Sequence, residues 1–326
     1  MPFLLLPSCS TKAETAQLFL YTDNDPFMDS LASRIESTFK EKGISLISHN
    51  ASRKQSLQNS QFVSILQDND KKPVLLNIYD RLSANLLIEK AENEDTPLLF
   101  FNREPLLSDT ENTAWAKKNV YYVGTDAEYE GQAEAEIAAD YFQNASSFKG
   151  SKFDKNGDGK LQVAILRGEL SHQDALSRTK YSTDTLRKLG FDVDLIKVAY
   201  CDWQEEKGYE EMRKMMLEGA NIELLLSNND AMAVGAVRYL KTIMKEGESF
   251  SDQFFPIIGV DGTEQGKKCL EEGYMIGTVF NDATAQAEIL SALYTSIVTK
   301  TEKPTFGDNV IVNGNFYKVK GTKIHH

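Results

Sequence analysis

The sequence contains little cysteine, histidine, tryptophan or proline, and each scarcity narrows what the protein can be. Its 326 residues include three cysteines, four histidines, two tryptophans and eight prolines. Three cysteines are too few for a disulfide framework. Since they show neither a C-x-x-C spacing nor a nearby group of histidines, we expect no zinc site. For Cys201 and Cys269 we expect buried or half-buried thiols, with a bridge between the two as the alternative.

Positive charge and long apolar runs are also scarce. The chain has 36 lysines and arginines against 48 aspartates and glutamates, a formal net charge of -12. An acidic surface repels phosphate backbones, so we expect no nucleic-acid partner. No apolar run reaches the length that a membrane-spanning helix needs. The hydrophobic share of 41% and the charged share of 26% are typical of globular proteins, and the length predicts two domains.

The N-terminal residues resemble the end of a bacterial lipoprotein signal. The apolar residues 3–6 run into Leu-Pro-Ser-Cys at 6–9, followed by polar residues. In such signals the cysteine becomes the acylated N-terminus. We therefore expect residues 1–14 to be a signal tail and tether, and Cys9 to anchor the protein in the cell envelope, in the periplasm. The alternative is an ordinary N-terminal segment with a chance cysteine.

A short apolar strand followed by a helix repeats along the chain. Residues 17–21 precede helical periodicity over 27–42, for example, and residues 161–166 precede helical periodicity over 172–189. Continuous apolar strands that alternate with helices predict a parallel sheet covered on both faces. The number of such units predicts an α/β fold of two doubly wound lobes.

Planar polar side chains stand at the ends of several predicted strands. In open α/β sheets, ligands bind outside the carboxyl ends of the strands. A carboxylate or amide can bond two neighbouring hydroxyl groups of a sugar at once. Helix N-capping is the alternative for each residue alone, although serine and threonine would then share these positions. The residues are Asp25, Asn102, Asn229, Asp261 and Asn281.

Two aromatic residues, Phe27 and Trp203, also follow strand ends in polar surroundings. Two such rings could enclose the apolar face of a pyranose, and ordinary packing is the alternative. Asp174 and Arg178 are four residues apart on one predicted helix, so they can pair, either in a site or on the surface. We disfavour a catalytic pair of His172 and Asp174, because no serine or cysteine stands on a recognisable nucleophile elbow.

The segment 154–162 has the spacing of a calcium-binding loop. Oxygen ligands alternate along it, and Gly159 at the sixth position permits the sharp turn. The twelfth position is Ile165, where an EF-hand has a bidentate glutamate, so a distant carboxylate must complete the coordination. A polar Asx turn is the alternative. The predicted ligands are Asp154, Asn156, Asp158, the Lys160 carbonyl and Gln162.

Eight segments together resemble the periplasmic glucose/galactose-binding proteins, which are sugar receptors of ABC importers with the type I periplasmic-binding-protein fold. They occur in the family's order at near-family spacing, and the resemblance covers about residues 15–300. The segments are residues 21–28, 100–105, 121–126, 154–162, 172–178, 228–232, 259–261 and 277–282.

This resemblance implies a role for each candidate residue. It implies that Phe27 and Trp203 stack on the two faces of a sugar, and that Glu223 supplies the missing calcium ligand. It further implies hydroxyl contacts from Asp25, Asn102, His172, Asp174, Arg178, Asn229, Asp261 and Asn281.

The resemblance also implies three crossings between the lobes, near residues 123–126, 281 and 309–314. The first lobe would comprise 15–123 with 283–309, and the second 124–281 with 310–326, with the sugar cleft between them. The implied protein is a monomeric, non-enzymatic receptor that closes on D-glucose or D-galactose, delivers it to an ABC permease and can signal to a chemoreceptor. The alternatives are another sugar such as a pentose, a sugar-sensing regulator core, or a hydrolase using Asp174 or Asp25.

Overall fold

The computed structural model describes residues 14–22, 25–106 and 119–325, and within them the chain forms two α/β lobes, each built on its own sheet. The predicted anchor Cys9 lies outside these residues. In chain order the described strands are β1 (Glu14–Leu20), β2 (Ile44–Asn50), β3 (Val74–Leu76), β4 (Leu98–Phe101), β5 (Val120–Thr125), β6 (Leu161–Arg167), β7 (Val193–Tyr200), β8 (Leu224–Ser227), β9 (Ile257–Asp261), β10 (Gly277–Phe280), β11 (Val310–Asn313), β12 (Phe316–Val319) and β13 (Thr322–His325).

Helices cover the sheets, and a 3₁₀ turn at Arg81–Ser83 precedes one of them. In the part of the chain that the structure describes, every helix is too short or too polar to span a bilayer. The helices are α1 (Pro26–Glu41), α2 (Gln55–Leu66), α3 (Ala84–Asn93), α4 (Ala127–Tyr141), α5 (Ala145–Phe148), α6 (Gln173–Lys188), α7 (Glu205–Leu217), α8 (Asp230–Ile243), α9 (Phe250–Gln253), α10 (Glu264–Glu271) and α11 (Ala283–Thr299).

The sheets are parallel at their centres, as the continuous apolar strands predict. The first has the order β11-β12-β5-β4-β3-β1-β2, and the second has the order β13-β10-β9-β8-β6-β7. Strands β4, β6, β8 and β9 are buried along their whole length, because helices cover both faces. The edge strands β11 and β13 run antiparallel to their neighbours. The fold class is therefore the predicted one, with an antiparallel edge strand added to each sheet.

The C-terminal segment corrects the predicted lobe boundaries. We expected residues 310–326 in the second lobe, but β12 pairs in parallel with β5, from Phe316 beside Tyr122 to Val319 beside Thr125. Phe316 and Val319 are buried in the hydrophobic clusters of the first lobe. Only β13 joins the second sheet, because Gly277–Phe280 offers it a free edge. The predicted crossing at 309–314 is therefore wrong, and the chain crosses between 319 and 322.

The three crossings lie side by side in a narrow strip. They connect β5 to α4, β10 to α11, and β12 to β13. The backbone N–H of Asp126 in the first crossing donates to the carbonyl of Val319 in the third at 2.8 Å. A Cβ atom added at Gly321 would lie 3.2 Å from the carbonyl oxygen of Phe280 at the second. The strip therefore forms one hinge, from which the carboxyl ends of the parallel strands face each other across the cleft.

Candidate functional site: a chamber between the lobes

The cleft contains a polar chamber walled by both lobes. The ten residues that the sequence analysis assigned to ligand contact all line it, so the structure brings the whole set together. Three further residues complete the wall. The lining is Tyr21, Asp25, Phe27, Met28, Asn102, Arg103, His172, Asp174, Arg178, Trp203, Asn229, Asp261 and Asn281.

Asp25 is the N-cap residue of α1 and lines the chamber from the first lobe. Its Oδ1 atom accepts from the backbone N–H groups of Phe27 and Met28 at 3.1 Å, and its Oδ2 atom accepts from the Tyr21 hydroxyl at 2.7 Å. Both oxygens of the side chain therefore accept hydrogen bonds at the N-terminus of α1. One oxygen thus caps the helix while the group still faces the chamber.

Asn102 follows β4 and has a left-handed backbone with φ of 58°. Asparagine tolerates this conformation better than most residues do. The buried side chain of Asn77 holds it, because the Asn77 amide donates to Asn102 Oδ1 and to the Phe101 carbonyl, each at 3.1 Å. The Asn102 amide is thereby fixed in one orientation at the chamber wall.

Arg178 is the central charge of the second lobe. Its Nε donates to Glu130 at 2.7 Å and its Nη1 donates to the Asn228 carbonyl at 2.6 Å. Its Nη2 lies 3.9 Å from Asp174 and 4.0 Å from Asp261. Asp174 and Arg178 are each only 3% exposed, which excludes the surface ion pair that the sequence left open.

Burial changes the protonation of the groups around Arg178. Burial raises the pKa of Asp174 to about 7, although the Arg178 charge opposes the shift. The pKa of Asp261 is also raised well above its ordinary value by burial and by the charges of Asp230 and Asp25, again against Arg178. The pKa of His172 is lowered well below its ordinary value by burial and then by nearby arginines, so its ring is neutral at pH 7. The chamber therefore contains carboxyl groups that a bound ligand can influence strongly.

Two unusual backbone features place the Trp203 ring in the chamber wall. Trp203 and Asp202 have left-handed backbones, with φ of 65° and 49°. A Cβ atom at Gly168 would lie 2.3 Å from the indole ring, so only glycine leaves room for it there. The ring packs edge-on against His172 with centroids 4.9 Å apart. Positive φ at a bulky residue is strained backbone, which is typical of functional sites.

Asn229 and Asn281 complete the second lobe's wall. Asn229 caps α8 by accepting from the Met232 N–H at 3.0 Å, and Asn281 accepts from Gln286 at 2.7 Å. The buried carboxylate of Asp230 accepts from the Thr263 N–H and the Thr278 hydroxyl, each at 2.7 Å. Asp230 thereby fixes the loop that follows Asp261.

The competing interpretation of the polar strand ends as helix caps holds for part of the set. Asp25 and Asn229 cap helices, and His172 caps α6 by accepting from the Asp174 N–H at 3.2 Å. Asn102, Asp261 and Asn281 are not N-cap residues of the described helices. Since capping uses one side-chain atom and leaves others free, the two roles are compatible.

Direct contacts join the two lobes beside the chamber. Arg103 of the first lobe donates both terminal nitrogens to Glu169 of the second, at 2.7 and 2.9 Å, and its guanidinium lies 3.8 Å from the centre of the Tyr21 ring. Gln173 donates to the Asn102 carbonyl at 2.9 Å, and Arg81 donates to the Ser171 carbonyl at 3.0 Å. The described conformation is therefore a closed one.

Sequence reasoning did not identify Tyr21, Met28 and Arg103 in the wall, or Glu130 and Glu169 behind it. One signal existed for Glu130. It lies on α4 one residue before Gly131, among buried alanines, where an acidic residue is out of place unless it has a partner. Arg103 follows Asn102 directly, but its partner Glu169 is 66 residues away in the sequence, a distance that no local pattern spans.

The predicted calcium loop folds back on the residue that was expected to complete it. Glu223, which is fully buried, accepts from the backbone N–H of Lys155 at 2.6 Å and of Gln162 at 3.1 Å. Asp158 accepts from the Gln162 amide at 3.0 Å, and Asp154 accepts from the Gly159 N–H at 3.2 Å.

The predicted ligands are therefore neighbours, and carboxylate, amide and carbonyl oxygens are the donors that calcium prefers. Within residues 14–22, 25–106 and 119–325, no three acidic, histidine or cysteine side chains by themselves form a metal-binding cluster. Amide and carbonyl oxygens would have to supply the rest of the coordination.

The two described cysteines are free thiols, Cys201 buried and Cys269 half-buried. This settles the alternative of a bridge between them. Burial raises the pKa of Cys201 to about 12 and that of Cys269 to about 11, so both are inert thiols at neutral pH.

Comparison with known proteins places the chain in a family. The sequence profile of the periplasmic binding protein domain matches residues 17–302. The D-galactose/methyl-galactoside binding periplasmic protein MglB of Haemophilus influenzae is 29% identical over 277 residues, which are 84% of this chain and 78% of that protein. The ribose import binding protein RbsB of Salmonella typhimurium is 23% identical over 82% of this chain and 78% of that protein.

Solved structures share the fold at lower identity. The periplasmic solute binding protein of an ABC transporter from Actinobacillus succinogenes, with bound D-allose, superposes with a TM-score of 0.77 at 19% identity. The match covers 96% of this chain and 97% of that one. The agreement extends over both lobes and supports the two-lobed α/β fold.

Proposed function

Since this chain belongs to the periplasmic binding protein domain family, we propose that it is a non-enzymatic receptor that closes its two lobes around one monosaccharide. D-galactose and D-glucose are the first candidates, and an ABC importer is the recipient. The observation that carries the proposal is the chamber, where the ten residues predicted to contact a sugar converge from both lobes. Affinity for a sugar requires such convergence of polar groups and aromatic faces in a closed space.

The mechanism that we propose is hinge closure. A sugar that touches Asp25 and Asn102 on one side and Asp174 and Asp261 on the other binds the closed form better than the open one. A ligand shifts such an equilibrium by its difference in affinity for the two states. Interlobe contacts such as that between Arg103 and Glu169 then add to the stability of the closed form.

Galactose is favoured by the similarity to MglB, which is named for D-galactose and methyl-galactoside. The relatives also include a ribose import binding protein, which favours a pentose as the second candidate. The two proposals share the fold and the chamber, and differ in how many hydroxyl groups the wall must meet.

Calorimetric titration with D-galactose, D-glucose, D-ribose and D-xylose tests the proposal. We expect one-to-one binding of a hexose with micromolar or tighter affinity. Asp261→Ala should weaken it more than about tenfold, since removal of the carboxylate leaves ligand hydroxyls buried without an acceptor. The exposed Asp252→Ala is the matched control and should bind like the wild type. Folded protein that binds no sugar would overturn the proposal.

We also propose a structural calcium ion in the loop 154–162, held by Asp154, Asn156, Asp158, the Lys160 carbonyl, Gln162 and Glu223. The convergence of Glu223 on the loop backbone supports it, since this carboxylate already lies at both ends of the loop. The ion would stiffen the second lobe and would not touch sugar.

For the cellular setting, we propose that the protein is a monomer that acts in the periplasm, held by acylation of Cys9. We propose further that its closed form meets an ABC permease and a chemoreceptor. Metabolic labelling with a radioactive fatty acid tests the anchor. Label in the wild type that is absent from Cys9→Ser is the expected result, and equal labelling of both would contradict it.

A further inference from the structure

Glu130 joins the chamber to the hinge through its two carboxylate oxygens. The side chain lies in the first turn of α4 and is completely buried. Its Oε2 atom accepts from Arg178 Nε at 2.7 Å, and its Oε1 atom accepts from the Thr125 hydroxyl. One oxygen therefore holds an arginine of the chamber wall, and the other holds the residue that ends β5.

The two donors belong to different lobes. Thr125 pairs with Val319 in the sheet of the first lobe, whereas Arg178 belongs to α6 of the second lobe. A single residue, Asp126, separates β5 from α4, so a change in the angle between the lobes has to alter backbone dihedral angles at or beside it. Thr125 and Glu130 lie on either side of that residue, and their hydrogen bond therefore depends on the angle.

The third crossing between the lobes lies against the same side chain. A Cβ atom at Gly321 would be 3.2 Å from Glu130 Cγ and 3.2 Å from the carbonyl oxygen of Phe280. The Thr125 hydroxyl lies 3.4 Å from the carbonyl oxygen of Val319, in the strand that leads into this crossing. Glu130 thus packs where the three crossings meet, so its position depends on their arrangement.

Neutralisation of Arg178 does not by itself account for Glu130. Asp174 and Asp261 already lie 3.9 and 4.0 Å from Arg178 Nη2, so the guanidinium has two ion pairs without a third acid. Burial of a carboxylate costs free energy that good geometry has to offset. Glu134, one turn further along α4, is equally buried, yet its carboxyl oxygens have no hydrogen-bond partner in the described part of the chain. What distinguishes Glu130 is its bridge between two donors.

We propose that Glu130 is a positioning residue that couples the orientation of Arg178 to the angle between the lobes. This inference rests on the proposed function, since it concerns how the receptor closes. In the closed form the Thr125 hydroxyl holds the carboxylate, and the carboxylate holds the guanidinium at the chamber wall. Opening breaks the bond from Thr125, and the guanidinium then loses its fixed orientation. A ligand that needs this orientation binds the closed form better and thereby drives closure.

Thr125→Val tests the bridge from the side of the hinge. Valine has the shape of threonine without the hydroxyl, and Thr125 is not part of the chamber wall. We expect the affinity for D-galactose and D-glucose, measured by calorimetry, to fall about fivefold or more, because the closed form loses a hydrogen bond to a charged group. Thr125→Ser keeps the hydroxyl and should retain most of the wild-type affinity.

Small-angle X-ray scattering gives the measurement that a merely structural role would leave unchanged. Saturating hexose should close the wild type and lower its radius of gyration. We expect saturated Thr125→Val to have a radius between those of the ligand-free and the saturated wild type. If Thr125 only stabilised the fold, the variant would unfold at a lower urea concentration and still close as completely as the wild type.

Glu130→Asp tests the same bridge from the carboxylate. Aspartate keeps the charge beside Arg178 but is one methylene too short to reach both donors. We expect it to bind and close like Thr125→Val, and the double variant to lose little more affinity than Glu130→Asp alone, since both changes break one bridge. Glu134→Asp is the matched control, because it shortens a buried acid of the same helix outside the bridge, and it should bind hexose as the wild type does.

The outcomes separate the two proposals. If the wild type binds a hexose and closes, and Thr125→Val and Glu130→Asp do so equally well, the coupling is wrong and the receptor function stands. The coupling is also wrong if the two losses of affinity add in the double variant. Folded wild type that binds neither hexose would overturn the proposed function and this inference together.

Discussion

At the scale of single residues, Asp174 illustrates a conflict between stability and binding. Burial raises the pKa of its carboxyl group to about 7 in the folded protein, against an ordinary value of 3.8. Because the folded form then holds a proton that the unfolded form has lost, this group makes the free energy of unfolding fall as the pH rises from about 4 to about 7. Ionisation of this buried carboxyl group becomes favourable when a ligand donates hydrogen bonds to it.

Asp174→Asn removes this ionisation while it keeps the shape of the side chain. We expect the variant to bind sugar poorly, and its stability relative to the wild type to increase by roughly 1–3 kcal/mol between pH 4 and pH 8. Urea unfolding of the ligand-free proteins at the two pH values measures this. Asp184→Asn, at a half-exposed site on the same helix, is the control and should show little pH-dependent difference. A variant that loses stability at pH 8 would show that pairing with Arg178 outweighs burial.

The residue scale also shows where sequence reasoning succeeds. Five chamber residues could be named because each follows an apolar strand, whereas the roles of His172, Asp174 and Arg178 came only from the family resemblance. The five are Asp25, Asn102, Asn229, Asp261 and Asn281. Glu130 could not be named, because its role depends on Arg178, which is 48 residues away and reaches it only through the packing of two helices.

At the scale of elements, the contact between α4 and α6 positions both members of that pair. A Cβ atom at Gly131 would lie 2.8 Å from the backbone carbonyl oxygen of Arg178 and 3.0 Å from the backbone nitrogen of Ser182. Close approach of the two helix backbones therefore requires glycine at this position. The same approach places Glu130, the residue before Gly131 in α4, within hydrogen-bonding distance of Arg178.

Gly131→Ala should push the two helices apart. We expect a loss of about 1–3 kcal/mol of folding free energy, as for other overpacked sites, and weaker sugar binding because the pair of Glu130 and Arg178 is displaced. Chemical unfolding and titration calorimetry measure the two effects. Asp140→Ala, an exposed change at the other end of α4, should alter neither. Unchanged stability in Gly131→Ala would mean that the helices can separate at little cost.

The proposed calcium loop gives a second prediction at this scale. A ligand that binds only the folded form raises the melting temperature, so calcium should raise it and a chelator should lower it. Glu223→Gln should abolish most of this response, since a neutral amide replaces the carboxylate at both ends of the loop. Differential scanning calorimetry with calcium and with chelator is the measurement. Identical melting of wild type in the two conditions would exclude the ion.

The hairpin of β11 and β12 is the element that sequence reasoning misplaced. β11 has three exposed residues out of four, and neither strand is long enough for a clear pattern. Burial of Phe316 and Val319 in the first lobe fixes its place beside β5. The paired residues of β12 and β5 are nearly 200 positions apart in the sequence. Tertiary packing of this kind overrides local preference in short strands.

At the scale of the whole molecule, the contact between Arg103 and Glu169 joins the lobes and predicts how fast ligand leaves. We expect Glu169→Gln to weaken sugar binding about fivefold or more, chiefly through faster dissociation, because the closed form loses a charge-assisted bidentate contact. Stopped-flow fluorescence during sugar displacement measures the dissociation rate.

The matched control is Glu104→Gln, which removes an ion pair with Lys318 inside the first lobe, 2.8 Å long. It should leave the dissociation rate near that of the wild type. A faster association rate in Glu169→Gln with unchanged dissociation would contradict the role of this contact in the closed form.

The three adjacent crossings between the lobes act as one mechanical joint. Three chain segments tied side by side, with Asp126 bonded to Val319 across two of them, resist twisting and sliding more than bending. Such a joint leaves the two bodies essentially one degree of freedom, the angle of opening. Changes anywhere in the cleft should therefore act along the same coordinate. Across a series of cleft variants, the logarithm of the dissociation rate should then follow the logarithm of affinity on a single straight line.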